Sequence, residues 1–89
     1  MYELAVSSRA RREFKRLAHR DRDRISTAIR GLRHSPRPPG SLKLKGLIFR
    51  IRVGGFRVIY AVSDRERRVV IVKIDRREKD TYDDIDRLF

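Results

Sequence analysis

Apolar positions recur with a period of two in the second half of the chain and at helical spacing in the first. The sharpest pattern runs from Phe49 to Tyr60 (FRIRVGGFRVIY), where apolar and basic residues alternate, break at Gly54-Gly55 and alternate again. Such a pattern around a two-residue glycine turn predicts a β-hairpin. With Gly54-Gly55 as the loop, Val53 faces Phe56, Ile51 faces Val58 and Phe49 faces Tyr60 on one side. Arg52 then lies opposite Arg57 on the other, with Arg50 two residues away. Upstream, Tyr2 to Val6 alternates weakly and reads as a first strand. Ser7 or Ser8 can cap a helix from about Arg9, with Ala10, Phe14, Leu17 and Ala18 on one stripe. After a polar break at His19–Asp21, a second helix places Ile25, Ala28, Ile29 and Leu32 together. It ends near Ser35, because Pro36 disfavours a helical residue before it.

Pro36 to Ser41 is a loop, and Leu42-Lys43-Leu44-Lys45-Gly46 leads into the hairpin. Beyond Tyr60 the strand continues to about Val62, Ser63 to Arg68 turns, and Val69 to Ile74 forms a third long strand rich in β-branched residues. Its expected register puts Val70, Val72 and Ile74 in the core opposite Val62, Tyr60 and Val58. Lys73, Asp75 and Arg77 then project to the arginine side, whereas the opposite register would bury Lys73. Val69, Ile71, Ile59 and Ala61 would leave that side partly apolar, which suits a covering partner. Asp80 can cap a final short helix that returns Tyr82, Ile85 and Phe89 or Leu88 to the body. The order β-α-α-β-β-β-α predicts an α+β fold. A helical hairpin packs on one face of a small, mainly antiparallel, four-stranded sheet, and residues 1–89 form a single domain.

Composition removes several function classes. The chain has no cysteine, hence neither a disulfide framework nor a cysteine-ligated metal site. No pair of His, Asp or Glu with metal-ligand spacing stands beside a second such pair, and His19 and His34 read as cap or surface residues. No apolar run is long enough to span a bilayer, and Met1 leads straight into a strand pattern without a signal-peptide core, so a cytoplasmic protein is expected. The formal net charge is +12, carried largely by arginine, and points to a polyanion without identifying which. The tail from residue 78 is acidic by contrast. Opposed like charges at Arg52 and Arg57 destabilise a strand pair, and two readings stay open: an anion held between guanidinium forks, or a solvated basic face. The same two readings hold for Lys43 and Lys45 beside the hairpin and for the helix face bearing Arg9, Arg12, Arg16 and Arg20.

These residues resemble the RelE/ParE toxin superfamily. The resemblance runs along almost the whole chain: Phe14-Lys15-Arg16-Leu17, a second helix running into Leu32 and then Ser35-Pro36, Leu44-Lys45-Gly46, and above all Arg50 to Tyr60, which matches the family's hairpin signature nearly residue for residue. Asp75-Arg76-Arg77-Glu78 followed by Tyr82 is similar to its looser C-terminal ending. The resemblance implies a RelE-like, microbial-ribonuclease-like fold. It also implies the toxin of a type II toxin–antitoxin pair, which enters the ribosomal A site and cuts messenger RNA by attack of the ribose 2′-oxygen on the adjacent phosphate. No metal or cofactor is needed. The implied partners are a cognate antitoxin, in a toxin–antitoxin hetero-oligomer, and the ribosome with its mRNA; no membrane is involved.

Carried over by position, Arg57 resembles the arginine on the scissile phosphate and Arg77 the one near the leaving 5′-oxygen. Tyr82 resembles the aromatic residue that stacks on a base or helps activate the nucleophile. The expected catalytic set is Arg52, Arg57, Arg77 and Tyr82, with Arg50, Lys43, Lys45, Lys73 and Arg76 on the RNA. Arg50 and Arg52 replace a pair of lysines found in some relatives and offer no easily deprotonated amine. The general base therefore remains open among Tyr82, Glu78, Asp75 or none. Asp75, where many relatives have histidine, is expected to bridge to Arg57 across the strands. A ParE-like poison of DNA gyrase and a non-catalytic RNA-binding protein are the rival readings.

Overall fold

In the computed structural model, residues 1–76 are described; Arg77, Glu78, Tyr82 and the expected last helix lie outside them. The elements are β1 (Glu3–Val6), α1 (Ser8–Lys15), α2 (His19–Gly31), β2 (Leu42–Lys45), β3 (Ile48–Val53), β4 (Phe56–Ser63) and β5 (Arg68–Arg76). They form a five-stranded sheet of order β1-β5-β4-β3-β2. The order is antiparallel apart from the β1–β5 pair, which is parallel. The count exceeds the four strands expected because Leu42–Lys45 is a strand in its own right. It pairs Leu42 with Arg50 and Lys43 with Phe49, and all four of its residues are exposed.

The hairpin has the predicted register, with Phe49 opposite Tyr60, Ile51 opposite Val58, Arg52 opposite Arg57 and Val53 opposite Phe56. Gly54 takes φ 59°, the left-handed value a glycine accepts without strain at the first position of such a turn. The α2 guanidinium of Arg24 packs on that turn, 3.0 Å from where a side-chain carbon on residue 54 would stand. Between the sheet and the helices lies one core, in which Ile25 and Leu32 of the second helical segment meet Val58, Tyr60, Val62, Val69 and Ile71, all essentially inaccessible. Tyr60 satisfies its buried hydroxyl by donating to the Pro36 carbonyl at 2.8 Å, as a buried tyrosine must. The helices break at Arg16–Ala18, slightly ahead of the polar stretch that suggested the boundary, and Ala18 starts α2 without a side-chain cap.

The register of β5 departs from expectation in an instructive way. Val58 does pair with Ile74 and Ile59 with Lys73, but Tyr60 then pairs with Ile71, so Val72 is an extra residue in a β-bulge. Val69 and Ile71 are therefore the core residues in place of Val70 and Val72, and Ile74 remains one. Of the apolar residues expected on the open face, Ile59, Ala61 and Val70 are there, each half-buried, with Ile48 beside Ala61, whereas Val69 and Ile71 are not.

Where β1 stops, α1 takes over the exposed edge of β5. The Ser7 amide donates to Ile71 O at 2.9 Å, its hydroxyl donates to Val72 O at 3.0 Å, and its Oγ accepts from Ala10 N at 3.1 Å to cap the helix. Two turns on, Glu13 Oε1 accepts from Ile74 N at 2.9 Å. Replacing Glu13 with alanine strands that amide and should cost about 1–3 kcal/mol. A thermal melt should register a drop of about 4–8 °C for each kcal/mol. Glu13→Gln, which keeps an acceptor oxygen, is expected to recover most of the loss. A Glu13→Ala variant melting like the parent would count against the brace.

Candidate nucleic-acid interface

The face of the sheet turned away from the helices gathers most of the sequence-predicted basic residues of the second half of the chain. Alternation in β3 and β4 puts Arg50, Arg52 and Arg57 on it, Arg52 directly opposite Arg57. The bulge puts two β5 residues beside them. Counted onward from Ile71, unbroken alternation would turn Lys73 and Asp75 toward the core; the extra residue at 72 shifts both to the open side, where Lys73 pairs with Ile59 and Asp75 with Arg57. Asp75 then accepts two parallel hydrogen bonds from Arg57, Nε to Oδ1 at 3.0 Å and Nη2 to Oδ2 at 3.1 Å. Lys73 Nζ lies 3.1 Å from the same Oδ2. The Arg57 and Asp75 side chains keep 23% and 22% of their surface, enough for a ligand to reach them yet sheltered enough for the bidentate pair to be well ordered. The expected Arg57–Asp75 bridge is present. Lys45, paired with Ile48, shares the face of Arg50 at the β2 edge.

Two predicted residues fall elsewhere. Arg76 pairs with Phe56 and lies over its ring at 5.2 Å, on the helix side of the sheet. Lys43 pairs with Phe49 and lines a recess with Arg37, Leu47 and Asp64. Arg76 and Lys43 are therefore not part of the basic group around Arg57. Arg77 and Tyr82 lie beyond the described residues.

Near the Lys43 recess, Asp64 accepts from the Tyr2 hydroxyl and from Arg37 Nη2, the latter at 2.8 Å. Those two donors hold the Asp64 carboxyl below its usual range, while the bond to Asp64 pushes the Tyr2 phenol up. This cluster ties the chain's start, the 36–41 loop and the β4–β5 turn together at one end of the sheet. Nothing local in the sequence announced it, since Tyr2 and Asp64 are 62 residues apart. Among the described residues no three His, Asp or Glu side chains come together as a metal site, and no helix there is long and apolar enough to cross a membrane.

Chemically, the open face around Arg57 offers cations at fixed positions beside the Asp75 carboxylate. A guanidinium carries five N–H donors. Asp75 occupies two of Arg57's, and among the described residues nothing else takes the other three, which can meet another oxyanion. Arg52 across the hairpin and Lys73 on the neighbouring strand bring further charge to the same place. That is the donor set for a phosphodiester.

The sequence and the fold both have relatives. The family described as "ParE toxin of type II toxin-antitoxin system, parDE" matches residues 4–81. The chain is 29% identical over 82 residues to the Methanocaldococcus jannaschii protein named "Putative toxin RelE1", covering 86% of this chain and 91% of that one. Its fold is similar to the toxin of the archaeal RelE–RelB complex from Pyrococcus horikoshii, with a TM-score of 0.81 and 24% identity over 88% of this chain and 97% of that one. It is also similar to the isolated RelE toxin of E. coli, with a TM-score of 0.77 and 21% identity over all of both chains. The family match over most of the length places the chain in the ParE toxin family of type II toxin–antitoxin systems, within the RelE/ParE superfamily.

Proposed function

We propose that this toxin is a ribosome-dependent endoribonuclease that cuts messenger RNA in the A site. The observation that carries this reading is the convergence of Arg50, Arg52, Arg57 and Lys73 on the open face, with Asp75 hydrogen-bonded to Arg57 and ion-paired with Lys73. In the reaction the 2′-oxygen attacks the neighbouring phosphorus, the bond to the 5′-oxygen breaks, and a 2′,3′-cyclic phosphate remains. The proton leaving the 2′-hydroxyl is balanced by one delivered to the 5′-oxygen. Arg57 supplies donors to the non-bridging oxygens, whose charge grows in the transition state. Arg52 and Arg50 hold the flanking backbone, and Arg77 serves the leaving oxygen. Tyr82 stacks on a base, an interaction worth about 1–3 kcal/mol. Asp75 already accepts twice from Arg57 and is ion-paired with Lys73, so proton abstraction falls to Tyr82, Glu78 or to no side chain at all, orientation and charge then carrying the rate.

An antitoxin partner follows from the family and from the RelE–RelB complex of Pyrococcus horikoshii. The partly apolar strip of Ile59, Ala61 and Val70 beside the basic cluster suits it. The protein acts in the cytoplasm, where ribosomes are. A second reading has one specific support, the ParE description of the matching family: the target would then be DNA gyrase, with no RNA cut.

Primer extension on messenger RNA after induction separates the two. Discrete new 5′ ends inside open reading frames are expected. Intact messages accompanied by a DNA-damage response would overturn the nuclease reading in favour of gyrase.

A further inference from the structure

We infer that Asp75 is a positioning residue, which fixes the Arg57 fork and draws Lys73 to it so that both cations meet one phosphate; the role rests on the nuclease reading above.

Three observations converge on it. Both Asp75 oxygens are used, Oδ1 by Arg57 Nε and Oδ2 by Arg57 Nη2 and Lys73 Nζ, all at 3.0–3.1 Å. A two-point bond to the Nε/Nη2 edge fixes the guanidinium plane and leaves the Nη1 hydrogens and the second Nη2 hydrogen for an oxyanion. Next, the pair stands on the open side only because of the bulge at Val72, and α1 meets the strand on both sides of that bulge, through Ser7 at Val72 O and Glu13 at Ile74 N. Bulges beside working sites re-aim side chains, and here the re-aimed residues are Lys73 and Asp75. Finally, a carboxylate in a phosphate-binding group opposes the ligand's own charge. Its presence there is explained by geometry at the expense of affinity.

That opposition supplies the test, because affinity and rate should move in opposite directions. Asp75→Asn removes the charge and the second charged acceptor. It should bind a short RNA, made uncleavable by a 2′-deoxy sugar at the cut site, about threefold more tightly at low salt, the effect of one unit charge at roughly 6 Å in water. Its single-turnover cleavage on programmed ribosomes should fall about ten- to a hundredfold, the scale of a misplaced catalytic group. Asp75→Glu should restore part of the rate. Independently of catalysis, the Arg57 Nε–H signal in nitrogen-15 NMR should exchange slowly in the parent and fast in Asp75→Asn.

Unchanged exchange and unchanged cleavage in Asp75→Asn would overturn the inference, and so would affinity and rate falling together. A parent protein that cuts no message, yet shows slow Arg57 exchange and the affinity gain in Asp75→Asn, would sink the nuclease reading and leave the positioning role standing.

Discussion

Arg57→Ala is expected to lower cleavage of ribosome-bound messenger RNA by about two to three orders of magnitude, the usual loss when one preorganised oxyanion donor is removed. The size follows from where Arg57 sits: opposite Arg52, bonded twice to Asp75, and half-buried, so that its charge is less screened than that of a surface arginine. Its loss leaves Asp75 facing Lys73 alone, a carboxylate that would repel the phosphate of the proposed substrate. Arg57→Lys should recover little, since an ammonium cannot meet Asp75 and a phosphate with two parallel pairs at once. Growth after induction gives a first readout, and single-turnover cleavage the decisive one. A strain that still arrests with Arg57→Ala, and still shows cut messages, would remove Arg57 from the chemistry.

A second large effect concerns the fold. Ile71→Lys should abolish stable folding, because Ile71 is fully buried against Tyr60 and an unpaired ammonium in the core costs more than a small domain's whole margin of about 5–15 kcal/mol. Val70→Lys, one residue earlier and on the open face, should stay within about 1 kcal/mol of the parent. Soluble yield and thermal melts of the two variants side by side test the bulge directly. The reverse outcome would mean that β5 keeps unbroken alternation.

That contrast also shows where the sequence is legible. The hairpin could be read because each strand alternates apolar with charged residues and the glycine pair fixes the loop length, so a single register satisfies both. In Val69-Val70-Ile71-Val72 every position is apolar and alternation has no phase. Lys73 correctly reported the side of its own neighbours, Ile74 inward and Asp75 outward, but its phase did not extend across a bulge the sequence does not mark. β2 escaped notice for a different reason: Leu42-Lys43-Leu44-Lys45 does alternate, but over only four residues, and all of them are exposed, so the pattern marks no buried face. At the site, Arg50, Arg52, Arg57, Lys73 and Asp75 were all legible from strand parity. Ser7 was visible only as a helix cap, and Glu13 only as a helix residue. Their second partners, Val72 and Ile74, are 65 and 61 residues away and depend on packing that no local signal encodes.

The outer side of β2 has no neighbour among the described strands, and along it Leu42, Lys43, Leu44 and Lys45 stand in water. An open row of amides and carbonyls flanked by leucine invites a second copy to continue the ribbon. Two antiparallel copies of this edge would set ammonium groups of one against those of the other, on top of a mutual repulsion between bodies each carrying a formal +12. The lysines thus act as gatekeepers against self-stacking, and their protection weakens as salt shortens the reach of charge. Colloidal behaviour of the isolated toxin should consequently be best in dilute buffer and worsen with added electrolyte.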